Sequence, residues 1–297
     1  MLAGAAALRP LLAWSGAGVE RPIVHLGVIS ERNNQPDFVL AKYTPLVEHL
    51  RRQLEAKGIA VGELRIARDI AELERLIRMR QVDLVLEGVL SSFRLNSHKK
   101  LVEPVLAAWR KGRRETSTVF FVRRNSNIAQ LGDLAGKILA LESPRSTTAY
   151  ALPKIVLRQR GLRVEALDSQ PPAANAVRYV LAESEENQAY WVDSGRADAG
   201  AFNTGDWEEL PEVLSLGLRI IHTSEPILRW LLSMRLGIRA AVREPVLTAF
   251  LEMHASSEGV QALQAASRIR QFDALGPEDR ASLAHWQALA LRTRFGE

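Results

Sequence analysis

The stretch Glu142-Ser143-Pro144-Arg145-Ser146-Thr147-Thr148-Ala149-Tyr150-Ala151-Leu152-Pro153 sets three consecutive hydroxyl residues between an apolar run and an amphipathic one. The run before it, Lys137-Ile138-Leu139-Ala140-Leu141, reads as a strand. The run after it predicts a helix from Thr148 to about Arg160, closed by Gly161, because glycine suits the left-handed position just past a helix. A strand, a hydroxyl loop and a helix start in this order gather free backbone N–H groups and the positive end of the helix dipole at Ser146 to Thr148. The hydroxyls add donors that do not titrate near neutral pH. These residues fit a cradle for a tetrahedral oxyanion, and they fit simple N-capping as well, since Ser and Thr are preferred caps.

Outward from this segment the pattern alternates strand and helix. Ile23 to Ile29 is a compact apolar strand, and Tyr43 to Lys57 is helical by the spacing of Leu46, Val47, Leu50 and Leu54, with Gly58 ending it. Gly62 to Ala67 gives a second strand, and Ile70 to Arg80 a second helix with Leu73, Leu76 and Ile77 on one face. Such alternation argues for parallel sheets covered by helices. The junction Gln81-Val82-Asp83-Leu84-Val85 is echoed by Arg196-Ala197-Asp198-Ala199-Gly200, and both Asp residues read as scaffold at the turn before a buried strand. Ala240 to Ser267 and Gly276 to Arg294 read as helical. Pro277, Glu278 and Asp279 open the last helix as the macrodipole prefers, and Trp286 and Leu289 lie on its packing face.

At 297 residues, 47% hydrophobic and 25% charged, the chain can bury a large core. Its formal charge of +5 is spread through the helices rather than gathered in a run, so nucleic acid is not an expected partner. Cysteine is absent, which excludes disulfides, thiolate catalysis and Cys-type metal sites. The six histidines lack metal-ligand spacing, and no Gly-x-Ser-x-Gly, Walker or His-Glu-x-x-His pattern occurs. No enzyme, metal or cofactor is therefore expected. Residues 1–19 are apolar and rich in small side chains and read as a signal segment, in part, although no basic stretch precedes the apolar run and Arg9-Pro10 interrupts it.

From about Val24 to about Leu263 the chain resembles the solute-binding proteins of phosphate, phosphite and phosphonate ABC importers, whose loop reads approximately Asp-Pro-x-Ser-Thr-Ser-Gly-Tyr-x-x-Pro. The segment from Glu142 keeps the Ser-Thr pair, Tyr150 and Pro153. Tyr43-Thr44-Pro45-Leu46, Gln81 to Gly88, Val119 to Ser126, Leu131 to Lys137 and Gly195 to Ala201 match in the same order. The resemblance implies an α/β, two-lobed type 2 periplasmic-binding-protein fold, each lobe a mixed sheet flanked by helices, with a ligand cleft between lobes. Lobe one would comprise residues 20–118 plus 224–297, so the last helices would return to it, and lobe two residues 119–223.

The same resemblance implies a ligand site of Ser146, Thr147 and Thr148 on one lobe, with Tyr43, Glu87 and Thr116 closing from the other and Asn203 after the second junction. Glu87 departs from the family, which commonly has an aromatic there. A buried carboxylate repels a dianion, so Glu87 is protonated, turned away, bound to an amine on the ligand, or paired with an Arg such as Arg94 or Arg145. A monomer exported to the periplasm is implied, binding a small anion and passing it to an ABC permease. The alternative is a ligand-sensing module that signals to a sensor kinase or chemoreceptor.

Overall fold

The computed structural model describes residues 21–30, 36–96, 100–144, 146–171 and 173–293. The first segment comprises β1 (Ile23–Val24), β2 (Leu26–Ile29), α1 (Pro36–Glu55), β3 (Ala60–Val61), β4 (Arg65–Ala67), α2 (Ile70–Arg78), β5 (Leu84–Gly88), α3 (Val89–Leu95) and β6 (Val102–Arg110). Next come β7 (Glu115–Thr116), β8 (Thr118–Arg123), β9 (Ile138–Leu141), α4 (Leu152–Gln159), β10 (Val164–Ala166), β11 (Val177–Leu181), α5 (Glu185–Asp193), β12 (Ala199–Asn203), α6 (Thr204–Glu208), α7 (Glu212–Ser215) and β13 (Leu218–Thr223). The chain ends with β14 (Ile227–Leu228), β15 (Trp230–Arg235), α8 (Ala240–Glu252), α9 (Ser257–Ala265), β16 (Ile269–Ala274) and α10 (Pro277–Arg292).

Two six-stranded sheets result, ordered β16-β6-β15-β5-β2-β4 and β10-β11-β9-β12-β8-β13. The expectation of parallel sheets holds for only part of each. β2 runs parallel to β4 and β5, and β9 runs parallel to β11 and β12. In the other direction, β15 is antiparallel to β5 and β6, and β8 is antiparallel to β12 and β13. The reason lies in the returning chain: each sheet accepts strands that cross from the other end of the molecule.

Helices on both faces explain why the central strands are continuous apolar runs, with Leu84 to Leu86 and Val119 to Val122 all buried. Helix α2 forms as read. Asp69 accepts from the Glu72 N–H at 2.8 Å, and Leu73, Leu76 and Ile77 point inward. Helix α1 starts at Pro36 rather than Tyr43, with Asp37 in its first turn, because a proline near a helix start costs little. The strand β16 falls in the gap left between two predicted helices.

The echoed junctions have the same construction. Asp83 Oδ2 accepts from the His25 N–H at 3.1 Å, and Asp198 Oδ2 accepts from the Ile138 N–H at 2.8 Å. Each carboxylate thus ties the start of its own strand to the neighbouring parallel strand. Asp83 also holds Arg235 at 2.8 and 3.1 Å.

Helix α10 packs on β14 and also reaches α4, in one cluster with the first unit's α3. Leu283, Trp286 and Leu289 pack in one cluster with Leu152, Ile155 and Val156 of α4 and with Ile227 and Leu228 of β14, and the Trp286 indole donates to the Pro226 carbonyl at 3.0 Å. Its apolar face is large enough to bridge both units rather than cover one. At the crossing itself, β14 pairs antiparallel with β7. The Thr118 N–H donates to Ser224 Oγ at 3.0 Å, and the Ser224 N–H donates to the Thr118 carbonyl at 2.9 Å.

Within the second sheet, Gly200 sits opposite Phe121, and a Cβ at this glycine would fall 2.3 Å from the Phe121 ring tip. The Gly200→Ala variant is expected to lose about 2 kcal/mol of stability, read as a Tm lower by several degrees with an unchanged far-UV circular dichroism spectrum.

Candidate functional site

The hydroxyl segment lies where β9 gives way to a helix. A wide turn of π geometry spans Thr147–Ala151 before α4 begins, so the predicted continuous helix is split, and Gly161 closes it at φ 78°. Ser146 is extended, and its Oγ accepts from the Ala149 N–H at 3.1 Å. Thr148 is fixed on two sides: its carbonyl accepts from Thr118 Oγ1 at 2.7 Å, and its Oγ1 accepts from Asn203 Nδ2 at 3.5 Å. The capping reading is realised at one of the three hydroxyl residues. Ser146 is the cap, Thr148 is braced, and Thr147 keeps a hydroxyl with no partner among the described residues. The N–H groups of Thr147 and Thr148 lie in the first turn, which gives them no acceptor within the helix.

Thr147 faces the other unit. A Cβ on Gly88, at the end of β5, would lie 3.4 Å from Thr147 Oγ1 and 3.8 Å from Trp230 Nε1. The Arg110 guanidinium stacks over the Trp230 ring at 4.6 Å. Sequence, sheet order and the β7/β14 crossing thus bring Gly88, Trp230 and Thr147 to one seam between the units.

The remaining expected residues take different places. Asn203 joins Thr148 and also donates to Asp206, whose N–H it accepts at 3.0 Å. Tyr43 is 2% exposed within the core of the first unit, and its hydroxyl pairs with Ser267 Oγ at 3.0 Å, so packing accounts for it. Glu87 is turned to its own sheet: Oε1 accepts from the Ile29 N–H at 2.6 Å, beyond the last residue of β2 that pairs with β5. That contact supports the scaffold reading of Glu87 over an amine contact. Thr116 is 4% exposed, with a hydroxyl unpaired among the described residues, two positions before Thr118. Arg145 and residues 1–19 lie outside the described residues.

Charge across the seam is complementary, and sequence reading missed most of it. On the second unit, burial pushes the Glu185 carboxyl up to about 7, with the neighbouring Glu142 carboxylate next in effect. Burial also raises Glu142, opposed by a hydrogen bond from Ser146 and reinforced by Asp206. On the first unit, Lys111 Nζ lies 3.5 Å from Asp206 and 3.8 Å from Glu209, and Arg113 pairs with Glu208. Arg229 is lowered from the ordinary guanidinium range, first by burial and then by Arg110. Residues 142, 185 and 206 share no sequence spacing, so only the fold assembles them. Among the described residues no group of three acidic or histidine side chains is arranged to hold a metal ion.

The family described as ABC transporter, phosphonate, periplasmic substrate-binding protein matches residues 28–279. The chain belongs to this phosphonate-binding family. Its members are substrate-binding proteins, not enzymes; they bind small ligands, work with a permease, and act in the periplasm or outside the cell. Among the described residues, no helix is long and apolar enough to cross a membrane. The solved structure of XAC2383 from Xanthomonas citri bound to ATP is 29% identical, covering 93% of this chain and 99% of that one, with a TM-score of 0.80. PhnD1 from Prochlorococcus marinus in complex with methylphosphonate is 17% identical, covering 92% and 99% of the two chains, with a TM-score of 0.62. A binding protein component of an ABC phosphonate transporter from Pseudomonas aeruginosa is 19% identical over 93% of this chain and 87% of that one, with a TM-score of 0.60. These likenesses give the periplasmic-binding-protein fold. No curated protein matches.

The raised acids fix a pH dependence. Between the ordinary 4.5 and about 7, Glu185 keeps a proton in the folded state that the unfolded chain has released, so stability falls as pH rises through that window. Glu185→Gln is expected to flatten the fall in Tm between pH 5 and 7.5 and to melt above wild type at pH 8, by an amount on the order of a few degrees.

Proposed function

We propose that the protein captures a phosphorus oxyanion in the cleft between its two lobes and delivers it to an ABC importer. The observation that carries this reading is the uncommitted Thr147 hydroxyl, set beside first-turn N–H groups and facing Gly88 of the other unit. Helix N-termini favour anions, and a hydroxyl donor accepts no proton from a phosphonate that is already ionised. The family description supports phosphonate, and the ATP of XAC2383 and the methylphosphonate of PhnD1 share tetrahedral phosphorus oxygens. Thr147 binds the oxyanion, with Ser146, Thr148 and Asn203 holding the wall behind it. Thr116 offers a further hydroxyl from the crossing strand.

Burial and mutual repulsion hold Glu142 and Glu185 toward their protonated forms beside Asp206. A cationic group on the solute relieves that repulsion and lets them ionise, which favours a zwitterionic oxyanion over inorganic phosphate. The lobes, residues 20–118 with 224 onward and residues 119–223, turn about the crossing segments near Thr118 and Thr223, and α10 remains in contact with both.

Thermal-shift assays and calorimetry with inorganic phosphate, methylphosphonate and 2-aminoethylphosphonate test the reading. A bound phosphonate at a hundredfold over its Kd adds about 2.7 kcal/mol and raises Tm visibly. The aminophosphonate is expected to bind tightest, and Thr147→Val to weaken binding at least about tenfold, a loss of roughly 1.4 kcal/mol. No stabilisation by any of the three overturns the oxyanion reading. Equal affinity for all three removes the part played by the carboxylates.

A further inference from the structure

We propose that the first unit contributes the indole N–H of Trp230 as a hydrogen-bond donor to the oxyanion, opposite Thr147. This rests on the oxyanion reading of the cleft and adds a residue to it. Trp230 opens β15, between Gly88 of β5 and Ala108 of β6, and is 9% exposed. A buried indole N–H ordinarily finds an acceptor. The other two tryptophans packed around this crossing do so: Trp286 donates to the Pro226 carbonyl, and Trp109 donates to Asp273. Trp230 Nε1 has none among the described residues.

The place of this unspent donor is beside Gly88. The indole nitrogen and Thr147 Oγ1 lie 3.8 and 3.4 Å from the point a Cβ of residue 88 would occupy. Two unpaired donors, one from each unit, thus border a space that exists because residue 88 has no side chain. Both are neutral, neither changes protonation near neutral pH, and each suits an anionic oxygen with several lone pairs. A tetrahedral oxyanion head presents oxygens on opposite sides and can accept from both at once.

Two arginines support the indole. Arg110 stacks on its ring at 4.6 Å, which locks the rotamer and places a positive charge beside it. Arg229, one residue before Trp230, donates to the Arg110 carbonyl at 3.4 Å and has no carboxylate partner within ion-pair distance among the described residues. Two guanidiniums thus flank Trp230, with Asp206 and Glu209 of the other wall acting on Arg229 as well. An oxyanion is drawn to the indole side and an accompanying cation to the Glu142 side.

Trp230→Phe tests the assignment, since it keeps an aromatic ring for packing and for Arg110 while removing the donor. In full-length protein titrated with methylphosphonate and 2-aminoethylphosphonate, the variant is expected to show a Kd raised about 5- to 20-fold, with its ligand-free Tm close to wild type. In wild type labelled with 15N-tryptophan, the one indole resonance missing from the variant should move downfield on ligand addition. This second measurement needs only the assignment and stands even where the variant binds poorly for other reasons. Binding by Trp230→Phe equal to wild type, or an indole resonance that stays still while wild type saturates, overturns the role of Trp230 and leaves the Thr147 cradle intact. Failure of wild type to bind either probe overturns the oxyanion reading and the Trp230 role with it.

Discussion

Two short strands, β7 and β14, carry the chain between its sheets, and they are hydrogen-bonded to each other. The Thr118 and Ser224 pair extends this link in both directions, backbone to side chain and backbone to backbone. Everything at the seam follows from it. Thr118 is the first residue of β8, and its hydroxyl reaches the Thr148 carbonyl, so the crossing strand also positions the hydroxyl segment. Trp230 follows β14 after the single intervening Arg229 and enters the first sheet beside Gly88. A crossing with slack would leave Thr147 and Trp230 independent of each other; a paired crossing holds them to one register. Helix α10, with its indole on the Pro226 carbonyl, closes the back of the same crossing.

The parts of this arrangement that are local in sequence were legible there. The order strand, hydroxyls, helix at residues 137 to 161 needs only short-range rules, and the structure departs from it by one π turn. The Asp83 and Asp198 junctions were visible as an echo, though their partners, His25 and Ile138, lie about 60 residues away and could not be read. The edge strand β16 was not legible, because Ile269 to Ala274 is short and breaks its alternation at Gln271, which does not distinguish an edge strand from a loop. The charge groups across the seam were invisible for a related reason. Glu142, Glu185 and Asp206 meet only when β9, α5 and β12 are in place.

Candidate residues taken from resemblance divided according to what the backbone needs. Ser146, Thr148 and Asn203 are held by hydrogen bonds that shape the segment, while Tyr43 and Glu87 satisfy Ser267 and the end of β2. A polar side chain with a protein partner has an explanation without a ligand. Thr147, Thr116 and Trp230 lack one among the described residues, which is why the first and last of them are proposed as solute contacts. Sorting by satisfied and unsatisfied donors separates scaffold from contact more sharply than position in a motif does.

The pairing of Lys111 with Asp206 and of Arg113 with Glu208 joins the two units without any solute. Such partly exposed pairs contribute about 0.5 kcal/mol each, so together they favour the joined arrangement by a factor of roughly five. If the lobes close over a solute as proposed, such a bias would lower the cost of closing while restricting entry to the open intervals. The same pairs weaken as salt screens them over a Debye length of about 8 Å at physiological ionic strength. In the proposed capture cycle, ionic strength would therefore tune how readily the two units part, with low salt holding them together and high salt loosening them.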